Sequence, residues 1–413
     1  MALLNRHAKS LVNEALADTR IVVIQGARQV GKSTLAQEVL GPADRYVTLD
    51  DPTERAAANA DPTSYAQQLP DRCLAIDEVQ RVPALIPAIK AAVDRDQRPG
   101  RFLLTGSANL LRLPTTEDSL AGRAESIELY GLSQGELEGH QETTIDRLFD
   151  GDLLERYAGE LSRAEYLDRV CAGGYPEALG RTLRRRQRWF EEYARRIVER
   201  DAPDLSNLRR LGDLPTLLHL VAAHNASEVA LATLSNQSQI PERTLPPYLD
   251  LLEVMYLIQR LPAWSNSLSN RVAQRPKIAL LDGGLAAQLT NVSARSLAAN
   301  MNPEPAGMLV EAFVMSELRK QITWSETRPR MFHFRDRRGR EVDVVLESSD
   351  GRVVGIECKA SATLGGDDFR WLIWLRDKLP NRFVAGVVLY TGDATHVWGD
   401  RLVGLPLSAL WRN

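Results

Sequence analysis

Two glycines, a lysine and a serine stand at a fixed spacing near the start of the chain, in the segment GARQVGKST. A β-branched run precedes this segment and a helical pattern follows it. In such a strand–loop–helix context, the glycines let backbone N–H groups curl around phosphate oxygens. The lysine can then reach the terminal phosphates, and the serine hydroxyl can ligate Mg²⁺. The spacing predicts an ATP-binding loop rather than a ligand-free turn, formed by Gly26, Ala27, Arg28, Gln29, Val30, Gly31, Lys32, Ser33 and Thr34.

An acidic pair ends a later apolar strand, in the segment DRCLAIDEVQ. A buried strand would carry Asp77 to the magnesium shell beside Ser33, and Glu78 would then orient and deprotonate the attacking water. Acidic pairs at strand ends are common, so this interpretation depends on the loop that precedes the pair. Together the two motifs predict ATP hydrolysis, with Lys32, Asp77 and Glu78 as catalytic residues and Ser33 and Asp77 as magnesium ligands.

Polar residues also follow the next apolar strands. The strand in RFLLTGSANLL ends in Thr105, Ser107 and Asn109, which either sense the γ-phosphate or form an ordinary turn. Arg123, in SLAGRAESIEL, either stabilises the transferring phosphate, in its own subunit or in a neighbour's, or is a surface arginine. We list Ser107 and Arg123 as predicted nucleotide contacts with these alternatives open.

The composition is ordinary for a globular protein. Of 413 residues, 44% are hydrophobic and 25% are charged, and the net charge is −3, so any nucleic-acid surface has to be a local patch. The length suits two or three domains. Three widely spaced cysteines indicate a reducing compartment, and no apolar run has the length of a membrane span or a signal peptide. We expect a cytoplasmic protein with no membrane partner.

Residues 141–205 have a helical pattern and include the arginine-rich segment RTLRRRQRWFEEYARRIVERD. Trp189, Tyr193 and Ile197 recur at helical spacing, so one face of this helix is expected to pack. The arginines on the other face either pair with nearby glutamates or follow the phosphates of DNA.

Residues 206–292 have the pattern of a winged helix-turn-helix, with a third helix that starts near Pro241 and a strand that opens the wing. In a DNA reader the start of the third helix faces the groove, here Glu242, Arg243 and Thr244. Winged helices also bind proteins, and both partners stay open.

The C-terminal part contains a hairpin with three polar residues where apolar ones would be expected. Asp343 lies on its first strand, and Glu357 and Lys359 lie on one face of the second. Two carboxylates can bind a divalent cation that activates water, and the lysine can steady the charge. Glu311, on the preceding helix, would complete a metal set of Glu311, Asp343 and Glu357. The alternatives are an exposed edge hairpin, or a fold kept only for binding.

These motifs, in this order, resemble prokaryotic AAA-type ATPases that carry a C-terminal DUF4143 domain. The resemblance is carried by GARQVGKSTL, LAIDEVQ, FLLTGSANLL, SLAGRAESIEL, CAGGYPEAL and PKIALLDGGLAAQL. It implies ATP hydrolysis and a homo-oligomer. The segments GMLVE, EVDVV and GIECKAS resemble the PD-(D/E)xK nuclease superfamily, which implies Glu311, Asp343, Glu357 and Lys359 as catalytic residues.

We therefore expect an α/β protein with four parts: a P-loop AAA-type ATPase domain (1–140), a helical connector (141–205), a winged-helix module (206–292) and a restriction-endonuclease-like α/β domain (293–413). The expected function is ATP hydrolysis with Mg²⁺, coupled to metal-dependent action on DNA. The alternative is an ATP-controlled switch that binds a protein partner through a non-catalytic C-terminal domain.

Overall fold

The structure is a computed structural model that describes residues 4–106, 120–205, 208, 211–266, 271, 274–299 and 303–412. Ser107 and Asn109 lie outside the described residues. The chain divides into two compact units, the first made of Met1–Leu132 with Val254–Tyr256 and the second of Ser133–Glu253 with Leu257–Asn413. The predicted connector, most of the predicted winged-helix module and the C-terminal domain thus fall within one compact unit.

The first unit contains a parallel sheet of β1 (Ile21–Gln25), β2 (Arg45–Thr48), β3 (Leu74–Asp77), β4 (Phe102–Gly106) and β5 (Ala124–Glu128). The strands lie in the order β2–β3–β4–β1–β5 and confirm the predicted α/β fold of this part of the chain. Helices on the sheet include α1 (Ala8–Asp18), α2 (Lys32–Val39), α3 (Pro52–Ala60), α4 (Pro62–Ala66) and α5 (Leu85–Arg95).

The register of this sheet places the phosphate-loop segment and the acidic pair at the same edge of the sheet. Gln25 pairs with Gly106, and Thr48 pairs with Asp77, so β1, β2, β3 and β4 end on the same side. Every residue of β1, β3 and β4 is buried, which is typical of parallel strands covered on both faces. Polar groups that follow such strands converge at the carboxyl edge of the sheet, where ligands of open α/β sheets bind.

The second unit begins with helices that belong to the predicted connector. These are α6 (Gln134–Glu138), α7 (Thr144–Phe149), α8 (Arg163–Ala172), α9 (Pro176–Leu179), α10 (Leu183–Arg196) and α11 (Ala202–Leu205), with a π-helical turn at Ile197–Asp201. In α10 the ring of Trp189 stacks on Tyr193, with centroids 5.0 Å apart. Phe190 and Tyr193 are buried, so one face of this arginine-rich helix packs as the periodicity predicts.

The next segment has the element order helix, strand, helix, helix, strand, strand. These elements are α12 (Leu214–Ala223), β6 (Ser227–Glu228), α13 (Leu231–Ser238), α14 (Leu245–Val254), β7 (Ile258–Leu261) and β8 (Lys277–Leu280). The three strands form an antiparallel sheet with β8 in the centre. The third helix starts at Leu245 rather than near Pro241, because a 3₁₀ turn at Glu242–Thr244 comes first. The predicted groove-facing residues lie in that turn and are exposed.

The C-terminal part has a six-stranded mixed sheet in the order β13–β14–β12–β11–β10–β9. Its strands are β9 (Arg330–Arg335), β10 (Glu341–Glu347), β11 (Val353–Lys359), β12 (Phe383–Tyr390), β13 (His396–Val397) and β14 (Leu402–Pro406). The helices of this part are α15 (Gly283–Leu289), α16 (Ala294–Ala299), α17 (Glu304–Trp324) and α18 (Arg370–Lys378). The predicted hairpin, β10 and β11, and the helix that precedes it, α17, are therefore present in the expected order.

Two sequence motifs of the resemblance, CAGGYPEAL and LDGGL, pack against each other in the second unit. The Asp282 carboxylate accepts hydrogen bonds from the N–H of Gly174 at 2.7 Å and from the N–H of Leu285 at 2.9 Å. A Cβ atom on Gly283 would lie 2.2 Å from the Val170 carbonyl oxygen. The motifs thus join the end of α8 to the start of α15, so their role in this unit is structural.

We predict that Gly283→Ala lowers the free energy of unfolding by about 1–3 kcal/mol, because the added methyl group overpacks a rigid backbone contact. Gly307→Ala is the matched control, since Gly307 lies in α17 with open space around it. There the exchange should stabilise by about 0.5–1 kcal/mol. Thermal and denaturant unfolding measure both changes. Equal effects of the two exchanges would contradict this packing.

Candidate functional site

The predicted phosphate loop joins β1 to α2. Gly31, directly before α2, has a φ of 102°, which favours glycine. The ammonium of Lys32 donates to the carbonyl oxygens of Gly26 at 3.0 Å and Ala27 at 2.7 Å, and Lys32 is only 5% exposed. The lysine thus folds back over its own loop at the amino end of α2, where backbone N–H groups also point outward.

The Asp77 carboxylate, at the end of β3, accepts hydrogen bonds from hydroxyl groups of three other elements. Ser33 at the start of α2 lies 3.0 Å from both of its oxygens, and the phenol of Tyr46 donates to it at 2.8 Å. The hydroxyl of Thr105, in β4, also donates to it. Ser33 and Asp77 therefore present adjacent oxygens of the hard type that Mg²⁺ prefers, and they fit the predicted magnesium site.

Glu78 is held in an uncommon backbone conformation directly beside this carboxylate. Its φ of 56° lies in the left-handed region, and its backbone N–H donates to the Thr105 hydroxyl at 3.4 Å. The side-chain amide of Gln80 donates to its carboxylate. Burial raises the pKa of Glu78; the Lys32 ammonium opposes the rise and the Asp77 charge adds to it. A carboxyl group with a raised pKa near a phosphate loop suits a general base.

The same environment acts on Tyr46. Burial, together with the hydrogen bond to Asp77, raises the pKa of Tyr46 to about 12. The phenol therefore stays protonated at neutral pH and remains a donor to the carboxylate.

The remaining predicted nucleotide contacts differ in their placement. Arg28, Gln29 and Val30 lie in the loop, and Thr34 is an exposed residue in the first turn of α2. Arg123 is not brought to the loop of its own chain: it pairs with Asp94 of α5 through two contacts of 2.6 and 3.0 Å. It precedes Ala124, which pairs with Ile21 at the opposite edge of the sheet. Contact with nucleotide in a neighbouring subunit stays a prediction.

The four polar residues predicted in the C-terminal part come together. The register of β10 and β11 brings Asp343 beside Glu357, and the Asp343 carboxylate accepts from the Cys358 N–H at 2.9 Å. The Lys359 ammonium donates to Glu357 at 3.3 Å. Burial and the Asp343 charge raise the pKa of both Glu357 and Glu311, the latter reaching into the same cluster from α17.

A lysine that the sequence did not single out lies in this cluster. The ammonium of Lys277, the first residue of β8, is 2.6 Å from Glu311, 3.0 Å from Glu341 and 3.3 Å from Asp343. Burial disfavours its charge, but the three carboxylates raise the pKa of Lys277 well above its usual value. We call Lys277, Glu311, Glu341, Asp343, Glu357 and Lys359 the acidic centre.

The acidic centre contains a buried cationic side chain that the sequence did not predict. The metal set of Glu311, Asp343 and Glu357 was expected to converge on a cation, and two of its members instead contact the Lys277 ammonium. Within the described ranges, no group of three or more His, Cys, Asp or Glu side chains is arranged to hold a metal ion. The physical reason is that a buried ammonium already supplies the positive charge.

The basic turn before β10 is explained in part by local pairing. Arg340 donates to Asp336 at 2.7 Å, and Arg335 lies 3.7 Å from Glu341. Arg337 and Arg338 are exposed.

The described part of the chain has no helix that combines the length and apolar character needed to cross a bilayer.

We predict that Thr105→Val lowers the free energy of unfolding by about 1–3 kcal/mol, because the buried Asp77 carboxylate loses a donor. Tyr46→Phe removes a donor from the same carboxylate at a half-buried position and is the control, with a smaller expected loss. Denaturant unfolding of the first-unit transition measures both variants. An unchanged free energy of unfolding in Thr105→Val would show that this hydroxyl does not stabilise the Asp77 carboxylate.

Three family models match the chain. Residues 18–138 match an AAA domain (AAA_14), residues 163–296 match a domain of unknown function (DUF8612), and residues 306–410 match a second domain of unknown function (DUF4143). Uncharacterized proteins of Mycobacterium bovis and Mycobacterium tuberculosis are each 28% identical over 366 residues, which cover 88% of this chain and 75% of each relative.

Similar solved structures include the ORC2 protein of Aeropyrum pernix, at 14% identity, 72% coverage of this chain, 96% coverage of that chain and a TM-score of 0.34. They also include the Thermotoga maritima RuvB Holliday junction branch migration motor, at 16% identity, 63% and 90% coverage and a TM-score of 0.26. From the family models, the chain carries an AAA domain at its amino-terminal end and a DUF4143 domain at its carboxyl-terminal end.

Proposed function

We propose that the first unit binds and hydrolyses ATP with Mg²⁺. The observation that carries this proposal is the contact of the Ser33 hydroxyl with both oxygens of Asp77, beside a lysine folded over a glycine loop. That combination is the arrangement expected for magnesium and triphosphate binding. The match of residues 18–138 to an AAA domain supports the same function.

Each residue of the site has a distinct role in this proposal. Backbone N–H groups of the loop and the Lys32 ammonium bind phosphate oxygens, while Ser33 and Asp77 hold Mg²⁺. The ion, when bound, offsets phosphate charge. Glu78 orients a water molecule and accepts its proton, and Gln80 restrains the Glu78 carboxylate through its hydrogen bond.

We predict that Glu78→Gln retains ATP binding but lowers the hydrolysis rate by about 10²–10⁴-fold, because the amide cannot accept the proton of water. Lys32→Ala should lose binding itself. Glu14→Gln, an exposed exchange on α1, is the control and should leave both properties unchanged. Release of phosphate and binding of a fluorescent ATP analogue measure the two steps. Full hydrolysis by Glu78→Gln would remove Glu78 from the proposed role.

The pH dependence of hydrolysis follows from the raised pKa of Glu78. A general base works only when it is deprotonated, so the rate should fall as the pH falls through a pKa above the usual glutamate value. The acid limb of kcat/KM, which reports the protein without nucleotide, should therefore lie above the usual glutamate value. An acid limb that is unchanged in Glu78→Asp would assign it to another group.

Two functions are proposed for the second unit. The convergence of Asp343, Glu357 and Lys359 favours metal-dependent cleavage of DNA, coupled to the ATPase. The Lys277 ammonium among the carboxylates favours the alternative, in which ATP controls a non-catalytic C-terminal domain that binds a protein partner. We give the alternative precedence, because the Lys277 ammonium already contacts Glu311 and Asp343, two of the proposed metal ligands.

DNA and a second copy of the chain remain the proposed macromolecular partners of the nuclease function. Arg184, Arg185 and Arg188 are exposed on α10. Arginines placed in this way can contact the phosphate backbone. Arg123 would act on nucleotide only across a subunit boundary.

We predict that the protein does not cut branched, single-stranded or plasmid DNA with Mg²⁺ or Mn²⁺, with or without ATP. Lys359→Ala is tested beside the wild type, and Lys32→Ala tests whether ATP is involved. Cleavage that Lys359→Ala abolishes would establish the nuclease function and contradict a non-catalytic C-terminal domain. Cleavage that persists in Lys359→Ala would indicate a contaminating nuclease.

A further inference from the structure

Lys277 reaches the acidic centre from the central strand of the three-stranded sheet. Its backbone pairs with Glu228 on one side and with Leu261 on the other. The side chain is only 2% exposed, although it carries a charge. Strand β8 is paired on both edges, so the Lys277 ammonium is held in a fixed position beside carboxylates of α17 and β10.

The contacts of this ammonium account for its burial. A lysine ammonium has three N–H donors, and three carboxylates lie within 2.6–3.3 Å of it, from Glu311, Glu341 and Asp343. Buried charges persist in proteins when they are paired and hydrogen-bonded in this way. Lys277 thus has the surroundings of a permanent counter-ion.

A divalent cation and this ammonium cannot occupy the centre together. Carboxylate oxygens bind Mg²⁺ or Ca²⁺ at about 2.0–2.6 Å, which would place the ion in the space that the ammonium fills between Glu311 and Asp343. Two positive charges at that separation in a buried site would also repel each other strongly. Binding of one therefore requires withdrawal of the other.

Glu357 has one carboxylate oxygen that no described group satisfies. It is 6% exposed, and its Oε2 is bound by Lys359 at 3.3 Å. Its Oε1 is buried and has no hydrogen-bond partner among the described residues. Buried carboxylate oxygens are rarely left unpaired, so this oxygen is one that a cation between the carboxylates would satisfy.

We propose that the Lys277 ammonium takes the place of a divalent metal ion in the acidic centre, and that a divalent-cation site forms only when this lysine is removed or withdrawn. The wild-type centre is then independent of metal. This inference does not depend on ATP hydrolysis by the first unit.

Lys277→Met tests the proposal, because methionine fills a similar volume without charge. Mn²⁺ is titrated without nucleotide and followed by electron paramagnetic resonance, in an Asp77→Asn background that removes the magnesium ligand of the first unit. We expect Lys277→Met to bind one Mn²⁺ per chain ~10-fold or more tighter than the wild type does. Adding Asp343→Asn should abolish the gain.

Lys320→Met is the matched control. Lys320 is also a buried lysine of this unit, 2.5 Å from Glu317, and lies outside the acidic centre. It should give no gain in Mn²⁺ binding. A gain in Lys320→Met equal to that in Lys277→Met would show that loss of any buried lysine exposes carboxylates to the ion, and would overturn the proposal.

Two further results would overturn it. One is Mn²⁺ binding by the wild type that Asp343→Asn abolishes, since Lys277 would then not exclude the ion. The other is a folded Lys277→Met protein, judged by circular dichroism, that binds no Mn²⁺. If Lys277→Met does not fold alone, the proposal requires that Mn²⁺ or Ca²⁺ restores its folding while K⁺ does not, and failure of that rescue counts against it.

Discussion

The Asp77 carboxylate is the group on which the candidate nucleotide site depends. Hydroxyl groups of Ser33, Tyr46 and Thr105 all donate to it, and these residues belong to α2, β2 and β4. One anion at the end of β3 thus links three neighbouring strands of the sheet to the start of α2. Burial of this charge is tolerable because charge-assisted hydrogen bonds replace its water.

The chemistry of the first unit could be predicted because its signals are local. Within the segment of residues 26–34, spacing alone determines which groups the loop presents, and the parallel sheet then brings the end of β3 to the same edge. The partners of Asp77 and Glu78 were harder to find. Tyr46 and Gln80 belong to no spacing rule, and only the strand order makes Tyr46 a neighbour of Asp77.

The acidic centre shows why the rest of the candidate sites could not be predicted from the sequence. Asp343, Glu357 and Lys359 were predictable from strand alternation within one hairpin. Lys277 precedes Glu311 by 34 positions and stands at the start of an apolar strand, where a lysine is usually a surface residue. Its position among the carboxylates depends on the pairing of β8 with β6 and β7, which the sequence does not specify. These contacts add a buried ammonium to the predicted metal set.

The two glycine motifs that are most particular to the resembled family are explained by packing contacts. CAGGYPEAL and LDGGL look like functional loops, yet Gly174, Asp282 and Leu285 use their polar groups to satisfy one another. Glycine there permits close approach of backbones rather than ligand binding. The contacts of the Asp282 carboxylate with these two motifs are therefore explained by packing.

The central claim is that Ser33 and Asp77 hold magnesium for a bound nucleotide. The most direct test is calorimetric titration of a slowly hydrolysed ATP analogue into the wild type and Asp77→Asn, each with Mg²⁺ and with chelator. One nucleotide should bind per chain, and removal of Mg²⁺ should weaken binding far more in the wild type than in Asp77→Asn. An equal dependence on Mg²⁺ in the two proteins, or no binding by the wild type, would contradict the claim.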